Sequence, residues 1–395
     1  MAPGTRAARR AVTVIFLLNG VLMGSWAARI PAVKERLDLG EAQLGLALGL
    51  VALGALVSMP VSGWMSARGG SRRTTRFAFV GCCLAIPLPA LAPSYALMLP
   101  AALLLGAGNG SLDVAMNAHG VAVERRHESP ILSSFHAAFS GGALIGAGTG
   151  ALAAGGDLDV RWHLLAVAVA ALAAGLVACR ALLPADADHV GGEAAGPLLA
   201  KPPRALWAVG AVGFCALVCE GATADWSAVY VKESLGAQAG VAALAFAAFS
   251  ATMTIGRAIG DRLTSAWGPE ALVRRGGLLS AAALGAALLI GHPIAAIAGF
   301  ALLGIGIATM VPVVFRAASE VDGVTPGVGI AAASTMGYFG FLIAPPIIGG
   351  AAELTSLPVA LGLLVLLSLV MAALAPRVRP QARSAVLSPS PAAAR

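Results

Sequence analysis

The stretch ALMLPAALLLGAGNGSLDVAMNAH, residues 96–119, is long and apolar enough to cross a membrane as one helix, since such a helix needs about 20 residues. It nevertheless carries Asn109, Asp113 and Asn117 at intervals of four residues, which places the three polar side chains on one helix face. An ionisable group at bilayer depth costs roughly 3 kcal/mol. The stripe therefore predicts a helix face that lines a polar cavity.

The rest of the chain has the composition of a polytopic membrane protein. Of its 395 residues, 58% are hydrophobic and 11% are charged, whereas soluble domains are about 25% charged. The apolar segments of spanning length lie near 11–31, 43–66, 77–94, 96–119, 131–154, 162–183, 205–230, 240–263, 271–290, 293–316, 326–350 and 357–376. The net charge of +7 is concentrated in short loops between the segments. This is the pattern of membrane topology and not of a nucleic-acid-binding patch.

The segments predict an all-α membrane protein whose 12 transmembrane helices form two pseudo-symmetric six-helix bundles. The N-terminal bundle covers residues 1–183 and the C-terminal bundle 205–376, joined by a linker at 184–204 that is rich in Pro, Gly and charge. The basic, Pro-rich tail, 377–395, is predicted to be disordered. Lys and Arg accumulate on the side of the termini and the linker, which predicts a cytoplasmic location for all three in a cytoplasmic membrane.

The two halves also repeat each other at an offset of about 200 residues, which predicts a duplication. "SWAA" at 25–28 corresponds to "DWSA" at 225–228, and Phe139 corresponds to Phe339. Runs of glycine within the segments would let helices approach closely. Two parallel six-helix repeats predict a substrate site between them, near the middle of the membrane.

The loop GWMSARGGSRR, residues 63–73, resembles the G-x-x-x-D-R-x-G-R-R signature of the major facilitator superfamily. The matching positions are Gly63, Arg68, Gly70, Arg72 and Arg73, while Ala67 replaces the family's aspartate; the corresponding loop of the second half keeps Asp261 and Arg262. The resemblance implies cytoplasmic gate loops whose charges pair in the outward-facing state. The alternative is that these basic loops only set topology.

Within that superfamily, the stretches SLDVAMNAHG and SFHAAFSGG look similar to YbjJ-like transporters and, more distantly, to the fucose-permease branch. That branch carries an acidic residue four positions before an asparagine on helix 4, and Asp113 and Asn117 match the pattern. Helix 4 lacks the arginine of many drug–proton antiporters, and helix 5 lacks their G-P pair. The resemblance therefore implies a symporter-like member.

Few ionisable or strongly polar side chains fall inside the apolar segments. We predict proton coupling at Asp113, Glu220 or His136, and a substrate cavity lined by Asn19, Asn109, Asn117, Ser140 and Tyr338. Each residue has an alternative structural role, because an acid or histidine in a membrane can also hold helices together by a permanent hydrogen bond. Arg257 lies at similar depth, and Asp225 is interpreted as an interface residue that pairs with Lys232.

The predicted function is proton-coupled secondary transport of a small polar organic solute, sugar-like or a related metabolite, by alternating access. The alternative is a proton-driven efflux antiporter for amphipathic or cationic compounds. A membrane-embedded enzyme would need a catalytic constellation, and RRHESP at 125–130 lacks one; a transport-inactive sensor would need a longer cytoplasmic domain. Without an ATP-binding signature, the proton gradient is the expected energy source. No cofactor, metal or nucleic-acid partner is predicted, only solute and lipid bilayer, and the chain is expected to be a monomer.

Overall fold

A computed structural model of the chain describes residues 3–126, 131–184, 206–321 and 326–379. Within these ranges, 12 helices are long and apolar enough to cross a membrane, as the sequence predicts. They are α1 (Pro3–Arg36), α2 (Glu41–Gly69), α3 (Ser71–Ala85, continued by Leu88–Leu91), α4 (Tyr95–Glu124), α5 (Leu132–Gly155), α6 (Val160–Ala178), α7 (Trp207–Val229), α8 (Ala239–Gly260), α9 (Arg262–Ile290), α10 (Pro293–Ile307, continued by Met310–Ser319), α11 (Pro326–Leu354) and α12 (Leu357–Leu374).

Irregular backbone occurs at two places in the C-terminal half. The α8 and α9 spans belong to one helical run, Ala239–Ile290, which bends at Gly268. Gly268 has φ +74°, a left-handed value that suits glycine, and Pro269 follows it. A π-helical turn, Tyr230–Ser234, extends α7. The predicted linker at 184–204 lies almost entirely outside the described residues, as does most of the tail.

Within the N-terminal half, glycines permit very close helix crossings. A β-carbon on Gly142 of α5 would collide with the carbonyl oxygen of Leu17 in α1, and one on Gly106 of α4 would collide with that of Val51 in α2. Backbones at such short separation gain van der Waals contact that larger side chains would prevent. The α1–α5 and α2–α4 pairs accordingly form much of the packing in this half.

The two halves meet along α2–α11 and α5–α8. We call the membrane side that holds the start of α1 and the end of α12 the terminal side, and the other side the distal side. At the distal side, the two halves meet at glycines, which have no projecting side chain. A β-carbon built on Gly240 would lie 3.0 Å from the Cα of Gly155, and one on Gly45 would lie 3.0 Å from the Cα of Gly349.

Ion pairs reinforce this distal contact between the halves. Lys34 at the end of α1 pairs with Glu233 after α7, Nζ to Oε2 2.5 Å, and with Glu41 of its own half at 3.5 Å. Lys232 pairs with Glu35. The predicted pairing of Lys232 with Asp225 is therefore wrong: Lys232 follows α7 into the turn and reaches across to α1 instead.

At the terminal side, the end of α2 is open. Among the described residues, a β-carbon on Gly69 would meet no atom within 4 Å, and one on Gly63 would meet only Val114, which belongs to the same half. The contacts described above join the halves at the distal side. The structure is thus closed at the distal side. At the terminal end of α2, Gly63 and Gly69 meet no described residue of the opposite half.

Candidate functional site

Asp113 lies near the middle of α4 and accepts hydrogen bonds from both halves of the protein. Asn117, one turn further along α4, donates from Nδ2 to Oδ1 at 3.2 Å and to the Asp113 carbonyl at 2.8 Å. Tyr338 of α11 donates from its hydroxyl to Oδ2 at 3.2 Å. Asp113 has no cationic partner among the described residues. A carboxylate held only by neutral donors keeps its charge uncompensated, so it is suited to bind a proton or a cation.

A second group of polar side chains surrounds Arg257 of α8. Its Nη2 contacts both carboxylate oxygens of Glu220 in α7, at 3.0 and 3.2 Å, and its Nη1 donates to the hydroxyl of Ser140 in α5 at 3.0 Å. The Glu220 and Arg257 side chains are 24% and 26% exposed, so the pair is partly screened. Ser140 itself is buried and also donates to the His136 carbonyl. Arg257 therefore connects α8 with α7 of its own half and with α5 of the other half.

These two groups lie within electrostatic range of each other, since the carboxylate of Glu220 acts on Tyr338, the partner of Asp113. We refer to the combined set as the central polar cluster; its members are Asp113, Asn117, Ser140, Glu220, Arg257 and Tyr338. The cluster contains two carboxyl groups and one guanidinium, together with amide and hydroxyl donors. Two of its hydrogen bonds, Tyr338–Asp113 and Arg257–Ser140, cross between the halves. Such a set can hold a polar solute and move a proton.

His136 and Asn109 flank the cluster. The exposed ring of His136 packs edge-on against Phe16, with ring centroids 5.4 Å apart, and lies within electrostatic range of Arg257. Asn109 is half-buried one turn before Asp113, and its amide oxygen has no hydrogen-bond partner in the described part of the chain. An incoming donor would satisfy that oxygen.

The structure does not bring Asn19 to the cluster. Asn19 is 2% exposed inside the N-terminal half, where its amide lies 3.9 Å from the sulfurs of Met116 and Cys82. Its side chain faces α3 and α4, which carry Cys82 and Met116, rather than α11 or α8. Asn19 therefore has a packing position, unlike the other predicted cavity residues.

The predicted gate-loop residues make contacts within their own half. Arg68 stacks over Trp64 at 4.8 Å, and Arg73 stacks over Phe77 at 5.6 Å. Arg72 donates to the Arg180 carbonyl at 3.3 Å.

Two further positions in these loops have backbone or surface roles. Gly70 has φ +82° where the chain turns between α2 and α3, and Arg262 is exposed. The side chain of Asp261 lies outside the described residues.

Arg257 is the functional candidate to which sequence reasoning gave no role. The sequence did contain a signal for a functional role of Arg257, because a charged residue interrupts the apolar α8 segment and intramembrane charges are functional by default. Its partners could not be predicted, because Glu220 lies 37 positions away and Ser140 lies 117 positions away.

Twelve membrane helices in two halves, with a polar cluster between them, are the architecture of a membrane transporter. A family model of the Major Facilitator Superfamily matches residues 12–324. An uncharacterised MFS-type transporter of Yersinia pestis is 35% identical over 361 residues, which cover 91% of this chain and 92% of that protein. The chain therefore belongs to the Major Facilitator Superfamily, and its function is transport of small molecules, not enzymatic catalysis.

Other relatives and solved structures agree with this assignment. The transporter y4wD of Sinorhizobium fredii is 34% identical, with 93% of this chain and 97% of the relative covered; membrane protein MosC of Rhizobium meliloti is also 34% identical, with 94% and 90% covered. A bacterial homolog of the human lysosomal transporter Spinster, solved in an inward-facing and unoccupied conformation, has a TM-score of 0.74 at 15% identity, over 96% of this chain and 97% of that one. The nucleoside transporter NupG has a TM-score of 0.73 at 12% identity, over 94% and 98%. These structures share the fold.

Proposed function

We propose that the protein is a proton-coupled secondary transporter of the cytoplasmic membrane that moves a small polar organic solute by alternating access. The observation that carries this proposal is the hydrogen bond from Tyr338 of one half to Asp113 of the other. A carboxylate that accepts a bond across the moving interface links its own protonation to the position of the two halves.

The coupling step follows from the chemistry of a carboxyl group. An ionised Asp113 accepts the Tyr338 hydroxyl proton as a charge-assisted hydrogen bond. A proton on the same carboxyl group removes the charge and weakens that bond, because neutral hydrogen bonds are about half as strong. Proton binding thereby loosens one connection between the halves. Proton release on the opposite side restores it, so the proton gradient serves as the energy source without a cofactor.

The substrate class follows from the groups that surround Asp113. Asn109 offers an amide oxygen without a partner in the described part of the chain, and Asn117, Ser140 and Tyr338 offer further polar atoms. The guanidinium of Arg257 is largely engaged by Glu220 and Ser140, which leaves little positive charge for an anionic substrate. Uncharged amide and hydroxyl groups match hydroxyl-rich, neutral solutes, which supports a sugar-like metabolite.

The orientation of this cycle rests on the basic loops. With the termini in the cytoplasm, the distally closed structure is inward-facing. The contacts of Arg68 and Arg73 with aromatic rings of their own half are consistent with this state. We further propose that one chain is a complete transporter, because the central polar cluster lies within a single chain.

The test is proton movement in proteoliposomes that contain a lumenal pH dye, with a panel of sugars and amphipathic cations. We expect solute-dependent acidification by wild type and its loss in Asp113→Asn. Asp38→Asn is the matched control: Asp38 is exposed in the α1–α2 turn at φ +50°, a value that asparagine tolerates.

Two results would contradict the proposal. Lumenal alkalinisation as a solute enters would replace symport by exchange, as in the efflux antiporter for cationic compounds. Equal proton movement in wild type and Asp113→Asn would remove Asp113 from the coupling path and make Glu220 the next residue to test.

A further inference from the structure

A cavity of about 410 Å³, which we call the outer groove, lies among α2, α3 and α4 of the N-terminal half. Its wall is apolar apart from Ser62, Thr74 and Ser111, and the hydroxyls of Ser62 and Thr74 donate to main-chain carbonyls. Large apolar side chains that are each more than half exposed form part of the wall; they are Val61, Phe77, Leu84 and Leu104. The outer groove therefore suits a hydrocarbon ligand and not a polar solute.

The outer groove opens away from the central polar cluster. Leu104 in its wall and Asp113 in the cluster are nine residues apart on α4. At about 100° per residue, their side chains point to opposite sides of the helix. Gly108 and Ser111, which also line the groove, lie within about 40° of Leu104. Since α2, α3 and α4 are each long and apolar enough to span a membrane, the groove borders the hydrocarbon of the bilayer.

Two glycines in the wall leave room for a chain-like ligand. Gly81 of α3 is exposed, and a β-carbon built there would meet no atom of the described residues within 4 Å. One built on Gly108 of α4 would lie 3.0 Å from the Cα of Cys82, so α3 and α4 approach closely at this point. The α3 wall from Thr74 to Ala85 is about 16 Å long at 1.5 Å per residue. This length matches half of the roughly 30 Å hydrocarbon core, the depth that one acyl chain occupies.

The terminal end of the outer groove is strongly basic. Between Glu41 and Asp113 the sequence contains four arginines and no acidic residue. All four arginines lie within residues 68–76, where α2 ends and α3 begins. Arg72 and Arg76 donate to main-chain carbonyls that follow α6. Two arginines, at positions 68 and 73, are exposed and remain available to an anion.

These two arginines lie at the end of the groove wall. The guanidinium of Arg73 stacks over Phe77, a wall residue, at 5.6 Å from the ring centroid. Arg68 is three residues beyond Met65 and seven beyond Val61, both in the wall. Helical spacing therefore places Arg68 on the groove face of α2. Within the described ranges, neither arginine forms an ion pair with a carboxylate.

We propose that the outer groove binds one anionic glycerophospholipid from the membrane leaflet at the terminal side. One acyl chain lies in the groove beside Gly81, and the phosphate contacts the guanidinium groups of Arg68 and Arg73. Arginine binds phosphate through several charge-assisted hydrogen bonds, and basic pockets between membrane helices are suited to anionic headgroups. Because the whole wall belongs to the N-terminal half, the lipid joins α2, α3 and α4 and stabilises that half.

The test is thermal unfolding of the full chain, purified in dodecyl maltoside micelles and followed by tryptophan fluorescence. Dioleoylphosphatidylglycerol is titrated into the micelles, in parallel with dioleoylphosphatidylcholine, which has the same chains and no net charge. We expect Tm to rise with phosphatidylglycerol and to reach a plateau, as for a ligand that binds only the folded protein. Phosphatidylcholine is expected to require a higher concentration, and inorganic phosphate, which lacks an acyl chain, is expected to leave Tm unchanged.

Two kinds of variant separate the phosphate from the acyl chain. Arg73→Gln is expected to raise the half-saturating phosphatidylglycerol concentration about fivefold, and the double variant with Arg68→Gln about twentyfold. Arg275→Gln is the matched control, because Arg275 of the other half is also exposed and stacks over Trp267 at 4.8 Å. Its response is expected to equal that of wild type.

Gly81→Leu fills the outer groove without a change of charge and is expected to weaken the response to phosphatidylglycerol. Gly362→Leu in α12 is its control, since a β-carbon on Gly362 also meets no described atom within 4 Å. Equal half-saturating concentrations of the two lipids would overturn the proposal. A wild-type response in Gly81→Leu would remove the acyl chain from the groove, and one in the double arginine variant would remove the phosphate. A rise of Tm with inorganic phosphate that equals the rise with lipid would assign the arginines to a free anion.

Discussion

The hydroxyl of Tyr338 in α11 and the carboxylate of Asp113 in α4 are 225 positions apart in the chain and 3.2 Å apart in the structure. Their hydrogen bond joins the two halves near the middle of the membrane. In the proposed cycle, the strength of this connection depends on whether the carboxyl group carries a proton.

Tyr338→Phe is expected to shift the equilibrium away from the distally closed state. It removes one hydrogen bond to a charged acceptor, worth about 1.5–3 kcal/mol when fully formed and less at this half-exposed position. Spin labels at Asp38 and Thr355, which lie on the distal side of opposite halves, report the change as a longer distance. Tyr95→Phe is the matched control, since the Tyr95 hydroxyl bonds to Gln43 within the same half. Equal distances in Tyr338→Phe and wild type would show that the bond does not contribute to closure.

The Glu220–Arg257 pair is expected to behave as a unit. Glu220→Gln or Arg257→Gln alone leaves one charge at membrane depth without its partner, at a cost of about 1–3 kcal/mol for a pair that is a quarter exposed. The double variant removes both charges and is expected to be more stable than the sum of the single effects predicts. Thermal unfolding of the four proteins measures this coupling energy. Strict additivity would mean that the two groups do not stabilise each other.

The distal ion pairs are expected to differ in strength because they differ in burial. The Lys34 side chain is 10% exposed, whereas Glu35, the partner of Lys232, is 69% exposed. Lys34→Gln is therefore expected to open the distal side measurably, and Lys232→Gln is expected to have less effect, within about 1 kcal/mol. Labelling rates of a cysteine introduced at Gly155 report the opening. The reverse order of effects would contradict the assignment of Lys34 as the main contact.

Adjacent glycines in α5 offer a sharp test of the close helix crossing. A β-carbon on Gly142 collides with the backbone of Leu17, whereas one on Gly141 meets no atom of the described part of the chain within 4 Å. Gly142→Ala is expected to destabilise the protein by about 1–3 kcal/mol, the usual cost of overpacking. Gly141→Ala is expected to be neutral or slightly stabilising, because alanine favours the helix. The difference in Tm between the two variants is the measurement, and equal values would argue against the crossing.

The sequence predicts those features that depend on local spacing. Asp113 and Asn117 are four residues apart, and helical periodicity alone places their side chains together. The number of membrane helices follows from the length of the apolar segments. The same reasoning cannot tell which way a helix face turns in the bundle. Asn19 has the same polarity as Asn109, yet it packs against α3 and α4 inside its own half.

Pairings between distant parts of the chain were also beyond prediction. Lys232 has acidic residues at several sequence separations, and nothing in the sequence distinguishes Asp225 from Glu35 as its partner. The structure selects Glu35 because the π-helical turn after α7 carries Lys232 toward α1. The same limitation applies to Arg257. Its position in α8 could be predicted from the sequence, but its hydrogen bonds with Glu220 and Ser140 could not.

The paired glycines at the distal crossings, Gly155 with Gly240 and Gly45 with Gly349, have a mechanical consequence. Helices that meet at glycines can move past each other and separate without unpacking interdigitated side chains, so few rotamers need to change during the motion. Because glycine has no side chain, separation uncovers little apolar area at each crossing, and water can replace the ion pairs beside it. The two halves can therefore separate or close at these crossings with little change in side-chain packing.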